Sequence, residues 1–394
     1  MAMRDHLNEA AYSLRRSAIR EFSKMAAARE NCVRLTLGEP DFATPDAVCD
    51  AAAASLQAGD THYIENNGAK DLRVKIAEYE REKNGMDYDA DEIIVTSGAT
   101  EALFVSLLGI INPGDEVIIP VPAFVLYEEI VLLARGVPVF LDTAGDGFQI
   151  RREAIELLIT DRTKAVILNS PNNPTGCVYD DESLRAVHDA VSGKSIFVIC
   201  DDVYRQLCYT DNYHSFAENR DLREQILVVQ SFSKPYAMTG WRMGYLMADS
   251  QVKERLELIH QFDVVSTPSM FQKAGIAALQ TDPSGMVTEY KKRRDYVTGR
   301  LREIGMELEI PDGAFYVFPS VAKYGTDSMT FSNRLLNEGG VAVTPGIAFG
   351  SDRHIRISYC CSMDALREGT DRLEKFLKQY ESRKKDNGAG LRIL

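Results

Sequence analysis

No stretch of this sequence is apolar for long enough to cross a bilayer. The most apolar run, Ala102 to Ile111, is about half of what a spanning helix needs. Positive charge is also scarce: 45 Lys and Arg stand against 58 Asp and Glu, a net charge of −13. So acidic a chain is a poor match for nucleic acid or an anionic membrane, and any anionic ligand must be met by a few cations placed locally. Cysteine is sparse and unpatterned, with seven residues at 32, 49, 177, 200, 208, 360 and 361 and no C-x-x-C. An odd, scattered set argues against a disulfide framework or a zinc site. The first twenty residues are charged and lack the apolar core of a secretory signal. Together these features predict a cytoplasmic protein with no membrane or nucleic-acid partner and no bound metal. Several familiar signatures are missing too: G-x-G-x-x-G, H-E-x-x-H and G-x-S-x-G do not occur. Gly193-Lys194-Ser195 has the ending of a phosphate-binding P-loop, but His188 stands where its first glycine is required.

What the sequence does have is the balance of a folded chain. It contains 394 residues, 45% hydrophobic and 26% charged, too many for one ordinary core. An amphipathic helix is predicted to open it, with Leu14, Ala18, Phe22 and Met25 on one face. A Gly/Pro-rich loop from Gly38 to Pro45 then crosses between lobes. From Asp46 short β-branched runs alternate with helical patterns. The runs are Ile93–Thr96, Val117–Ile119, Ala165–Leu168, Ile196–Ile199 and Ile226–Val229. They are near-continuous apolar stretches, as in strands buried on both faces, which predicts a mostly parallel sheet sandwiched by helices. After Asp282 the pattern changes to a long charged helix, Met286 to Ile304, short strands, and a last helix with Leu366, Leu373, Leu377 and Tyr380 on one face, N-capped by Ser362. The expected organisation is an α/β chain with four parts. Residues 1–45 form an opening helix and crossing loop, 46–282 a large ligand-binding domain, 283–380 a smaller α+β domain, and 381–394 a polar, frayed tail.

In open parallel sheets ligands bind beyond the carboxyl ends of the strands. There the sequence places Ser97-Gly98-Ala99-Thr100, then Phe124, Asn169 to Gly176, Asp201 with Tyr204, and Ser231-Phe232-Ser233-Lys234. Singly, each has an ordinary explanation: a Phe in the core, an Asp capping a turn, a Lys on the surface. Jointly they suggest a phosphorylated, aromatic, carbonyl-bearing cofactor. Gly98, Ala99 and Thr100 open a helix, where free N–H groups favour an anion. Ser231, Ser233 and Arg242 complete a phosphate cup, Phe124 offers a flat face, Asp201 can hold a proton on a ring nitrogen, and Lys234 is the nucleophile candidate.

The segment Ser231-Phe232-Ser233-Lys234-Pro235-Tyr236-Ala237-Met238-Thr239-Gly240-Trp241-Arg242 resembles the lysine segment of class I/II aminotransferases, pyridoxal-phosphate enzymes of the aspartate aminotransferase fold (fold type I). Asn172-Asn173-Pro174-Thr175-Gly176, Leu37-Gly38-Glu39-Pro40-Asp41-Phe42 and Ile355-Arg356-Ile357-Ser358 resemble its other elements, in the same order. Within the family, Ser17 to Phe22 and Cys361 to Gly369 look like the bacterial N-acetyl-diaminopimelate aminotransferase branch, near the prokaryotic aspartate aminotransferases.

The resemblance implies an amino-group transfer between an L-amino acid, with glutamate or aspartate as donor, and a 2-oxo acid. It implies pyridoxal 5'-phosphate bonded to Lys234, which also moves the Cα proton. Asp201 would keep the ring nitrogen protonated, and Asn173 and Tyr204 would bond the ring's phenolic oxygen. Arg356 would clamp the substrate carboxylate, with Gly38 leaving room for backbone contact. Tyr63 would reach the phosphate of a neighbouring subunit, making a homodimer with shared sites. Two departures stand out: Phe124 where many relatives carry Trp or Tyr, and Thr100 where some carry Lys. Arg20 is the candidate for a distal substrate carboxylate. A carbon–sulfur lyase of the same fold would use the same lysine, and a non-enzymatic pyridoxal-phosphate sensor is the remaining alternative.

Overall fold

The computed structural model describes residues 6–15 and 18–389. Its strands are β1 (Val33–Arg34), β2 (Ile93–Thr96), β3 (Glu116–Val121), β4 (Val137–Asp142), β5 (Thr163–Asn169), β6 (Phe197–Asp201), β7 (Ile226–Ser231), β8 (Gly244–Ala248), β9 (Tyr316–Val317), β10 (Val341–Ala342), β11 (Thr344–Pro345) and β12 (Ile355–Ser358). Seven of them form one sheet in the order β2-β8-β7-β6-β5-β3-β4. Strands β3 to β7 are mutually parallel, while β8 runs antiparallel to both β7 and β2. β2 therefore runs in the same sense as β7, and every strand of the sheet except β8 delivers its carboxyl end to one edge.

The apolar runs became strands because both sheet faces are covered. β2, β3, β7 and β8 are buried at every residue. Two strands of this sheet escaped the sequence pattern for separate reasons. β4 is an edge strand, with Val137 and Phe140 exposed, and its Pro138 suits that position. β8 reads Gly-Tyr-Leu-Met-Ala, which holds no β-branched residue.

Beyond the large sheet, β11-β12-β9 form an antiparallel sheet and β1 pairs with β10. The charged helix Ser284–Glu303 buries Tyr290, Val297 and Leu301 along one stripe. The last helix begins at Met363, with Ser362 Oγ accepting from the Ala365 N–H at 3.2 Å. It buries Leu366, Leu373 and Leu377, as its periodicity predicts.

Two expectations need correction. The opening segment is not one helix: Glu9–Ser13 is followed by a separate helix, Ala18–Ala27. Leu14 is extended and exposed, Met25 is exposed, and the buried face is instead Phe22 with Ala26, one turn apart. That helix lies against β1, β10 and β11. At the other end the helix continues to Ala389, past the expected stop at Tyr380. Ser17 and residues 390–394 lie outside the described residues.

Candidate active site

The strand ends converge on a cavity of about 250 Å³ lined by residues from both the large sheet and the smaller ones. Gly98, Ala99, Thr100, Phe124, Asn173, Asp201, Tyr204, Ser231, Ser233, Lys234, Arg242, Gly38 and Arg356 are the expected positions apart from Tyr63. Of these all but Gly98 line the cavity directly. Gly98 lies just beneath. A Cβ there would sit 2.8 Å from Arg242 Nη2, so the missing side chain lets the guanidinium reach the start of helix Ala99–Ile110.

Two close approaches build this corner. Gly98 takes a positive φ of 81°, which glycine tolerates, and turns the chain from β2 into the helix. Gly244 opens β8 beside it. A Cβ on Gly244 would lie 2.6 Å from the Gln230 carbonyl oxygen and 2.8 Å from the Ala99 nitrogen. The helix start is thus pressed against β8, with Arg242 donating to the Thr239 carbonyl at 3.0 Å. Ser231 Oγ accepts from the Ser233 N–H at 3.0 Å and folds the turn that leads to Lys234. Together a helix N-terminus, two serines and an arginine gather hydrogen-bond donors and positive charge at one corner of the cavity, chemistry that suits an anion.

Lys234 Nζ donates to the Gly38 carbonyl at 2.6 Å. Burial, with the Arg356 and Arg242 charges, lowers its pKa to about 8, against partial opposition from Cys360 and Glu39. Gly38 is small for a reason the sequence did not show. A Cβ on it would fall 2.3 Å from the Tyr316 hydroxyl, so the space belongs to Tyr316. That hydroxyl also lies 3.0 Å from the Tyr204 hydroxyl.

Asp201 ends β6 and pairs in register with Asn169 of β5. Asn169 Nδ2 donates to the Asp201 carbonyl at 2.8 Å, and Asn169 Oδ1 accepts from the Asn173 N–H at 2.8 Å. One amide therefore fixes both neighbours. Burial pushes the Asp201 carboxyl up to about 7, although Tyr127 donates to its Oδ2. Oδ1 is buried and has no hydrogen-bond partner. An enclosed carboxylate oxygen without a partner is costly, and it fits a protonated ring nitrogen. Phe124 stands beside Tyr127, ring centroids 6.0 Å apart and nearly perpendicular.

Arg356 is buried between the rings of Tyr316 and Phe349, 4.4 and 4.9 Å from their centroids. Its Nη1 donates to Asn173 Oδ1 at 2.9 Å and its Nη2 to the Thr36 carbonyl at 2.8 Å, while Nε has no partner. Tyr63 is not part of the cavity. It is 85% exposed, so it is no buried loop aromatic. Ile19, rather than Arg20, lines the cavity wall.

Sequence reasoning missed Tyr127, Tyr316 and the linking role of Asn169. Tyr127 had a detectable signal: it follows Phe124 by three residues, across a turn in which the Tyr127 N–H donates to the Phe124 carbonyl at 3.2 Å. Tyr316 had none, because its part depends on the small sheet folding over the large one. Among the described residues no group of His, Cys, Asp and Glu could hold a metal ion, and no helix is long and apolar enough to cross a membrane.

A mostly parallel sheet with a buried lysine and a buried carboxylate at its carboxyl edge is the arrangement that the resemblance to the aspartate aminotransferase fold implies. The chain matches the family model for aminotransferase class I and II over residues 30–373 and belongs to that family. It is 40% identical to the probable N-acetyl-LL-diaminopimelate aminotransferase of Bacillus subtilis over 383 residues, covering 95% of this chain and 97% of that one. It is 38% identical to the aspartate aminotransferase of Thermotoga maritima, covering 88% and 92%. The solved aspartate aminotransferase of Thermus thermophilus with maleate superposes with a TM-score of 0.90 at 35% identity, covering 94% and 99%. The protein is an aminotransferase. The anion-suited corner, the partnerless Asp201 oxygen and the Lys234 amine fit the pyridoxal phosphate on which the family depends.

Proposed function

We propose that this cavity holds pyridoxal 5'-phosphate and exchanges an amino group between L-glutamate or L-aspartate and a 2-oxo acid. One observation carries the reading. A buried lysine displaced toward its neutral form shares a cavity with a carboxylate oxygen that has no partner. When bound, the cofactor supplies an aldehyde carbon to bond the amine and an electron-withdrawing ring.

The chain's own residues supply the rest. Gly98, Ala99, Thr100, Ser231, Ser233 and Arg242 hold the phosphate, and Phe124 covers one ring face. Asp201 Oδ1 meets the ring nitrogen, and Asn173 and Tyr204 bond the phenolic oxygen. Lys234, neutral above about pH 8, is the base for the substrate's Cα proton. The Gly38 carbonyl gives that amine a resting partner. Arg356, held flat between two rings, exchanges its present partners for the substrate carboxylate and fixes the Cα–H bond.

The dicarboxylic donor is favoured by the relatives named aspartate aminotransferases and by the solved neighbour with maleate, a dicarboxylate. The exposed Tyr63, with Phe262 (84% exposed) on the adjoining helix, supports a homodimer in which Tyr63 completes the partner's phosphate cradle. The division at 46–282 and 283–380 places cofactor residues on one lobe and Arg356 on the other. A cytoplasmic setting accords with seven unpaired thiols.

Single-turnover spectroscopy tests this. L-Glutamate added to the loaded protein should convert the cofactor from its aldehyde to its amine form and release 2-oxoglutarate. A protein that instead released pyruvate and ammonia from a β-substituted amino acid, with no amine form accumulating, would be a carbon–sulfur lyase.

A further inference from the structure

We propose that Tyr127 is a positioning residue for Asp201: its hydroxyl engages one carboxylate oxygen so that the other alone meets the ring nitrogen. This deepens the cofactor reading above and rests on it. Tyr127 lies in the first turn of helix Leu126–Leu133 and is 2% exposed. Its hydroxyl donates to Asp201 Oδ2 at 2.5 Å. Among the described residues it is the one side chain hydrogen-bonded to that carboxylate.

An ionised carboxylate has two equivalent oxygens and about four acceptor sites, so by itself it selects no direction. Asp201 has its backbone fixed by the β5–β6 register and by Asn169, but neither bond reaches the carboxylate. Tyr127 is the side chain that breaks the equivalence, beside a favourable influence of the Val203 backbone N–H on the carboxylate, and Oδ1 is left without a hydrogen-bond partner. The phenol is suited to the task. Burial and the Asp201 charge hold its pKa well above 10, so it remains a donor throughout the working range.

The same tyrosine touches Phe124 edge-to-face, and its N–H donates to the Phe124 carbonyl at 3.2 Å in the turn that leads into the helix. The residue that covers the ring and the residue that orients its nitrogen partner are therefore set by one local turn. A donor on Oδ2 also stabilises the carboxylate form, which makes Asp201 a weaker base. The shared proton then stays on the ring nitrogen, where it is needed to draw electrons from the substrate.

The test uses the full-length protein loaded with cofactor labelled with 15N in the ring, comparing wild type with Tyr127→Phe. The phenyl ring keeps the packing against Phe124 and removes only the donor. The ring-nitrogen resonance of wild type should sit at the protonated position at neutral pH, and that of Y127F should move toward the unprotonated one. kcat should fall roughly tenfold, about what a hydrogen bond to a charged group is worth, with KM within twofold. Tyr127→His, which can restore an N–H donor, should recover the wild-type resonance. A Y127F protein with wild-type resonance and kcat within twofold overturns the proposal, and so does a Y127H protein that shows the unprotonated signal. A wild-type protein that takes up no labelled cofactor gives no ring signal at all, which sinks the underlying cofactor reading instead.

Discussion

Lys234 and Asp201 are displaced in opposite directions by one cause. Burial disfavours charge, so the lysine falls to about 8 and the carboxyl rises to about 7. In the cofactor-free chain this is a stability cost held in the site. A carboxyl whose folded pKa lies above its unfolded value of 3.8 costs most above about pH 7, and the cost vanishes below about pH 4. The displacement corresponds to at most about 4 kcal/mol at pH 8. Asp201→Asn should therefore raise the stability of the cofactor-free chain at pH 8 while abolishing useful catalysis. Denaturant melts from pH 8 to pH 4 should show the gap narrowing as pH falls, and a gap that widened would contradict the assigned direction. At this scale the sequence was highly legible for Lys234, Asp201 and Arg356, because their motifs carry them. It was silent on Tyr316, whose hydroxyl fills the space beside Gly38 only after two sheets meet.

The phosphate cradle is a property of packed elements more than of single residues. Gly244 brings β8 within van der Waals reach of the helix start at Ala99, and Gly98 admits the Arg242 guanidinium. Gly244→Ala should cost roughly 1–3 kcal/mol in overpacking and weaken cofactor binding. Gly240→Ala, in the same segment but facing open space, should change neither by much. Equilibrium dialysis and thermal melts of the two variants check this, and equal effects would remove the packing argument. The strands buried on both faces were readable from their apolar runs. The exposed edge strand β4 and the weakly patterned β8 were not, since β4 keeps its valines but is mostly unburied and broken by Pro138, and β8 has no β-branched residue. The broken opening helix was misread because periodicity across residues 14–25 cannot register an interruption in the chain's direction.

On the scale of the whole molecule, the cavity draws on both ends of the chain, with Gly38 and Arg356 facing Lys234 and Asp201. This convergence of distant segments was implied by the order of the motifs and by the switch in pattern after Asp282. Tyr63 stands outside it, exposed on a loop tied to the adjoining helix by Asn66 Nδ2 donating to the Val265 carbonyl at 2.6 Å. If sites are shared between subunits, Lys234→Ala and Tyr63→Ala chains should each be crippled alone. A mixed dimer would contain one site with both residues intact. Co-refolding the two variants should then restore activity to roughly a quarter of the wild-type value, as half the dimers are mixed and each has one working site. Full activity of the Tyr63→Ala chain alone would place Tyr63 outside the active site, and a crippled chain with no recovery on mixing would contradict the shared site.

The proposed chemistry turns on a covalent bond between Lys234 and the aldehyde of pyridoxal phosphate. Reduction of the loaded protein with borohydride, followed by peptide mass mapping, reads that bond directly. A single stable pyridoxyl adduct is expected on Lys234, absent from Lys234→Ala. An unmodified Lys234, or an adduct confined to another lysine such as Lys253, would contradict it.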